Sequence, residues 1–259
     1  MTPNTTIISN NASQTVNPNG ASSVVLVCEH ATHFIPTDFN NLGLLPDDRQ
    51  SHVAWDPGAA VVAQTLSRTL DAVLVQGVVS RLVYDCNRPP SAPSAMPERS
   101  EIIDVPGNRD LTHIEKTARV ENYYEPFRAS LAAAINKQNN PIIVTIHSFT
   151  PIFHGKKRQV EIGVLHDSDT RLADALLKSA PDHTAYVIQR NEPYGPDHGV
   201  THTLTEHAIS AGHMNVMLEI RNDLIATQDQ QIQMAQMIAT WLADACHQIN
   251  VKGVVKCVA

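Results

Sequence analysis

Three short apolar runs in this 259-residue chain each lead into side chains able to do chemistry. Glu29, His30 and His33 follow VVLVC at Val24–Cys28. His147 and Ser148 follow IIVTI at 142–146, and Glu219 and Arg221 lie within and just after VMLEI. In open α/β sheets, ligands bind beyond the carboxyl ends of the strands. Two histidines that follow two such runs point to a metal, because neutral imidazole and carboxylate suit Zn²⁺. The competing reading of each is a hydrogen-bonded structural histidine. Glu219, in an otherwise apolar strand, is either half of a buried ion pair with an arginine or a general base whose pKa is set by its surroundings. Asn87-Arg88 offers a guanidinium fork beside an amide, a pair that binds one carboxylate with geometric selectivity or else ties a turn. Asp85 fits a structural role, orienting Arg81 or Arg88. Arg158 stands out because it follows His147 within the loop leaving that strand. The chain carries no GxSxG elbow, Walker A loop or GxGxxG loop. Cys28, at the end of a wholly apolar run, reads as an inert buried thiol.

The elements that must position these groups alternate. Strands are expected at Val24–Cys28, 72–75, 78–84, 142–146, 161–166, 185–189 and 216–220. Helices are expected at 58–70 after Asp56-Pro57, at 112–137 and at 168–179 with Ser168 as cap. Two more follow at 203–211, stopping at Gly212, and at 228–248. Thr112 and Glu115 form a capping box, and Pro126 should kink the long segment it interrupts. Residues 89–108, with five prolines, read as a long surface loop. This pattern predicts a single α/β domain over 23–259, a mostly parallel mixed sheet with helices on both faces. The Asn-, Thr- and Ser-rich residues 1–22 read as a flexible tail.

Composition narrows the partners. With 26 acidic and 19 basic residues the net charge is −7, which argues against a generic nucleic-acid or anionic-membrane binder. Twelve of the 19 basic residues are arginine, the type suited to gripping a small carboxylate substrate. Four scattered cysteines without a CxxC pair, no signal-peptide pattern and no apolar run near the ~18 residues of a membrane span predict a cytoplasmic protein with reduced thiols.

The segments CEHATHFIP, HVAWDPGA, SRLVYDCNRP, VPGN, IHSFTP and LEIRNDL, in this order across residues 24–225, resemble the N-formylglutamate amidohydrolase family. The resemblance implies a zinc-dependent exopeptidase-like fold of the metallocarboxypeptidase type, with one Zn²⁺ per chain and a small anionic acyl-amino-acid substrate. It implies His30 and His147 as imidazole ligands, Glu219 as the base for the attacking water, and Asn87-Arg88 as the grip on the terminal carboxylate. Arg81, Arg158 or Arg221 would hold a second carboxylate or the developing oxyanion, with Ser148 also in the substrate site. The HxxE pattern of the wider group would need Glu at 33, where this chain has His33. The carboxylate ligand is then Asp56 of WDPG or Glu29, with Asp56 preferred. The rivals are a non-catalytic binder of acidic amino-acid derivatives and a related deacylase or peptidase of different substrate.

Overall fold

The computed structural model describes residues 6–258. In chain order the strands are β1 (Ile7–Ser9), β2 (Ser13–Val16), β3 (Val24–Cys28), β4 (Val73–Gly77), the ribbon β5 (Arg99–Ser100) and β6 (Ile103–Asp104), and β7 (Ile142–Phe149). The ribbon β8 (Ile152–Phe153) and β9 (Lys156–Lys157) follows, then β10 (Ile162–Leu165), β11 (Ile188–Arg190) and β12 (Asn215–Arg221). The helices are α1 (Pro46–Gln50), α2 (Ala59–Thr69), α3 (His113–Arg119), α4 (Glu125–Asn136), α5 (Arg171–His183), α6 (His202–His207) and α7 (Gln228–Gln248).

Eight strands form one mixed sheet in the order β1-β2-β4-β3-β7-β12-β10-β11. Its centre, β4-β3-β7-β12, is parallel, and every residue of β3, β7 and β12 is buried. Continuous apolar, β-branched runs are what burial on both faces demands. Alternation then sends Leu26, Val144 and Leu218 to one face, against Val62 and Leu66 of α2, Leu176 of α5 and Trp241 of α7. Val25, Val27, Ile143 and Met217 point to the other, against Phe127 and Leu131 of α4 and Leu204 of α6. Trp241 is fully enclosed, and its indole donates to the Leu176 carbonyl at 2.9 Å. The α/β class with helices on both faces is as the sequence implied.

Two expectations are corrected. Residues 7–16 belong to the sheet rather than to a flexible tail. The Asn10 side chain accepts from the Ala12 and Ser13 amides and turns β1 into β2, and β2 pairs antiparallel with β4, where Gln76 donates to Gln14 at 2.7 Å. Polar composition concealed this edge; residues 1–5 lie outside the described range. Residues 78–84 form turns instead of a strand, because Ser80 donates to the Ala54 carbonyl and accepts from Leu82, bending the chain beneath the WDPG loop. Smaller departures follow local chemistry. The Thr112–Glu115 capping box forms, but a π-helical turn at Val120–Tyr124 delivers Pro126 to the first turn of α4. Helix α5 starts after Thr170, with the Asp169 carboxylate, not Ser168, receiving the Arg171 amide at 3.1 Å. No helix among the described residues is long and apolar enough to cross a membrane.

Candidate metal centre and active site

The register sets Glu219 beside His147 at the carboxyl ends of β12 and β7, on the α4–α6 face. His30 enters from the turn after β3, held where the Asp56 amide donates to the His30 carbonyl at 3.0 Å. A Cβ at Gly77 would collide with the Glu29 carbonyl, so glycine lets this turn close over the end of β4. Asp56 comes from the loop feeding α2. Gly58 sits there at φ +84°, and a Cβ on it would lie 2.6 Å from the Ile225 carbonyl oxygen, which explains the glycine of WDPG. Ser148 fixes the same loop: its amide donates to Asp56 Oδ2 at 3.2 Å and its hydroxyl to the Pro57 carbonyl at 2.9 Å.

These elements gather one buried cluster. Asp56 Oδ2 lies 2.9 Å from His147 Nδ1 and 3.3 Å from His30 Nδ1, and the three side chains offer ligand atoms all within 4.8 Å of one another. The far nitrogens also meet carboxylates. His30 Nε2 is 2.7 Å from Asp85 Oδ1, and His147 Nε2 is 3.2 Å from Glu29 Oε2, a contact too bent for a hydrogen bond. Glu29 is itself oriented by the Thr203 hydroxyl on α6. Of the two carboxylates left open by the sequence, Asp56 therefore sits with the Nδ1 atoms and Glu29 behind His147. His33 is exposed against Trp55 and belongs to another surface.

The residues present fit a divalent cation. Metal bonds of about 2.0–2.1 Å in a tetrahedron separate neighbouring ligand atoms by roughly 3.3 Å, close to the two Asp56–imidazole spacings of 2.9 and 3.3 Å. Metal-binding imidazoles commonly give their second nitrogen to a carboxylate; His30 does so here with Asp85, and Glu29 stands 3.2 Å from the second nitrogen of His147. Charge makes the same demand: Glu29, Asp56, Asp85 and Glu219 are all buried, and Arg81 is the permanent cation that bonds among them.

Without a cation, protons must supply the balance. Burial disfavours a charge on His147, but Glu29 and Asp56 outweigh it and raise its pKa well above the usual value. On His30, burial and Arg81 are likewise overcome by Asp85 and Asp56. Burial opposes ionisation of Asp56 and Asp85, yet the histidines, and Arg81 for Asp85, hold both carboxyls low. Glu219 differs: burial pushes it up to about 7, against the pull of His147, and its Oε2 has no partner among the described residues. The raised histidines stabilise the fold fully below their unfolded pKa of about 6.5, and this contribution fades as pH climbs through their folded values. The depressed carboxyls lose theirs on acidification below the ordinary carboxylate range. The melting temperature of metal-free protein should therefore fall as pH rises from about 6 to 9, and added zinc should reverse the fall. A flat profile in a pH series of thermal melts would refute this electrostatic picture.

A cavity of about 280 Å³ opens onto the cluster, walled by Arg81, Arg88, Phe149, Phe153, Tyr194 and His198, among others. A larger cavity, about 870 Å³, lies apart, beside Phe39 and Arg119, and contains none of the cluster residues. Ser100 and Glu101 of the proline-rich segment reach the rim of the smaller one, where Glu101 pairs with His52 at 2.9 Å.

The remaining site expectations divide. Arg81 reaches the wall but is bonded to Asp85 at 2.8 Å and lies 3.5 Å from Asp56. Asn87 spans Val200 and Thr203 with its amide, while Arg88 donates from Nη1 to the Asn87 carbonyl and from Nε to Ser94, leaving Nη2 unbonded among the described residues. Arg221 is not brought to the cavity: Asp223, Glu161 and the Arg158 carbonyl engage its whole fork. Asp85 does orient Arg81, as expected; its bond to His30 was invisible because 55 residues separate the two. Tyr194 and Thr203 were missed, having no motif around them.

A mostly parallel α/β sheet with a buried His–Asp–His group, able to hold a metal ion at its strand ends, defines the class of molecule. The chain belongs to the N-formylglutamate amidohydrolase family, whose model matches residues 22–226, and is thus an amidohydrolase by family. Among solved structures, gene product Atu2144 from Agrobacterium tumefaciens is 48% identical, with a TM-score of 0.91 over 93% of this chain and 97% of its own. An N-formylglutamate amidohydrolase from Ralstonia eutropha JMP134 is 17% identical, with a TM-score of 0.63 over 93% of this chain and 99% of its own, a likeness of fold. No curated protein matches the chain.

Proposed function

We propose that the protein hydrolyses the amide of an N-acyl acidic amino acid, N-formyl-L-glutamate foremost, giving formate and glutamate, with Zn²⁺ held by His30, Asp56 and His147. The observation that carries the reading is the unpartnered Glu219 carboxylate beside a buried His–Asp–His group on a small cavity. When bound, zinc supplies Lewis-acid polarisation of the acyl carbonyl and makes water more acidic.

The chain's own residues do the rest. Glu219, its pKa pushed up to about 7 by burial, takes a proton from the attacking water and returns it to the departing amine nitrogen. Arg88, set by Asn87 and Ser94, binds the α-carboxylate through its unbonded Nη2. Arg81, pinned by Asp85 and Asp56, presents positive charge to the oxygen that becomes anionic. Asp85 and Glu29 hold the imidazoles in place, and Ser148 holds Asp56.

The narrow cavity and the segment at its rim favour a single acylated amino acid over a peptide. The test is formate or acid release from formyl, acetyl and succinyl derivatives of glutamate and aspartate by zinc-loaded protein. Formylglutamate should lead the panel. Release from none of them would leave the binding-protein reading in its place.

A further inference from the structure

Arg158 carries a charge that no carboxylate answers. Among the described residues its guanidinium has no acidic partner, whereas Arg81 and Arg221 each have two. It is instead caged by aromatic faces, 4.5 Å from the Phe153 ring centre, 4.9 Å from Tyr194 and 5.3 Å from Phe149. All three rings line the active cavity, while Arg158 itself lines a second hollow of about 440 Å³ beyond Phe153 and Tyr194. Across this wall Arg158 donates from Nη2 to the Tyr194 hydroxyl at 2.9 Å, while its Nη1 is held by the Thr150 carbonyl at 3.3 Å and hydroxyl at 3.5 Å. The Tyr194 oxygen is thus already an acceptor, and its own proton has no acceptor among the described residues.

Resting on the hydrolase reading above, we infer that Tyr194, held by Arg158, donates a hydrogen bond to a second carboxylate of the substrate and so selects dicarboxylic over monocarboxylic N-acyl amino acids. A phenol that accepts from a guanidinium is a polarised donor, and an anion is the acceptor such a donor serves best. Burial pushes the Tyr194 pKa up, Glu219 adds to this and Arg158 opposes it, so the hydroxyl keeps its proton at neutral pH. Cation–π contact on three rings fixes a planar guanidinium in a way an ammonium cannot reproduce. Tyr194 is therefore the contact, and Arg158 a positioning residue that also supplies the field.

N-formyl-L-glutamate and N-formyl-L-norvaline, which lacks the second carboxylate, separate the roles. For Tyr194→Phe the KM for formylglutamate should rise roughly 10- to 100-fold, the loss of one charge-assisted hydrogen bond, with kcat unchanged and formylnorvaline unaffected. Arg158→Met should reproduce this split, and the double variant should be no worse than either, since both act through one contact. Because Tyr194→Phe keeps the ring and its packing, it remains decisive if Arg158→Met fails to fold. A loss of kcat on both substrates would place Tyr194 at the reacting amide and overturn the inference, as would unchanged kinetics on both. Should the wild-type protein release formate from neither, the hydrolase reading has failed. Calorimetric binding of L-glutamate against L-norvaline then judges the pair alone: a preference for glutamate that Tyr194→Phe abolishes supports it, and equal affinities overturn it.

Discussion

Glu219→Gln should lower turnover roughly 10²- to 10⁴-fold, the usual contribution of a general base, while zinc content is preserved. Glu219 is absent from the His–Asp–His group, so the metal should stay. The same substitution should stabilise the metal-free protein above neutrality. A carboxyl with its folded pKa near 7 favours the protonated form in the fold, so the cost of ionising it grows from the unfolded value of about 4.3 up to 7 and is full above that. Glutamine removes this cost, on the order of 3 kcal/mol for a shift of this size. Thermal melts should show the gain at about pH 8 and little at about pH 5. Near-normal turnover, or a gain independent of pH, would take away the role assigned to Glu219. Activity here would be sustained by a residue that weakens the fold, as catalytic groups often do.

Asp56→Ala carries the second large effect. One carboxylate meets both Nδ1 atoms, the Ser148 amide and Arg81, and joins the end of β7 to the loop feeding α2. Removing one partner from a buried charge cluster costs about 3–5 kcal/mol, and it also deletes a proposed ligand. The variant should unfold at lower denaturant and retain no zinc after dialysis, with Asp56→Asn intermediate in stability. Zinc retention equal to wild type would show that the cation sits elsewhere.

The residues explain what was legible in the sequence. Strands β3, β7 and β12 announced themselves because burial on both faces leaves no room for polar residues, and His30, His147 and Glu219 stood out against that background. Gln228–Gln248 was legible from its helical period, although the Thr227 capping box that starts it was not read from the sequence. Edge strands β1 and β2 were not, since an edge exposed to water needs no apolar signature and depends on the Asn10 turn and the Gln14–Gln76 contact. At the site, motifs supplied residue types but not partners. Asp85 against His30 and Thr203 against Glu29 are contacts across 55 and 174 positions that only the sheet order creates. Arg221 misled because an E-x-R spacing sets both side chains near one strand end without saying whether acidic neighbours claim the arginine first.

The role proposed for His30, Asp56 and His147 is to hold the cation required for hydrolysis of an N-acyl amide. It is tested most directly by following formate release from N-formyl-L-glutamate as zinc is added back to chelator-treated protein. The expected result is no release at the start, a rise with each addition and a plateau at one equivalent per chain. Undiminished release from the metal-free protein would contradict it.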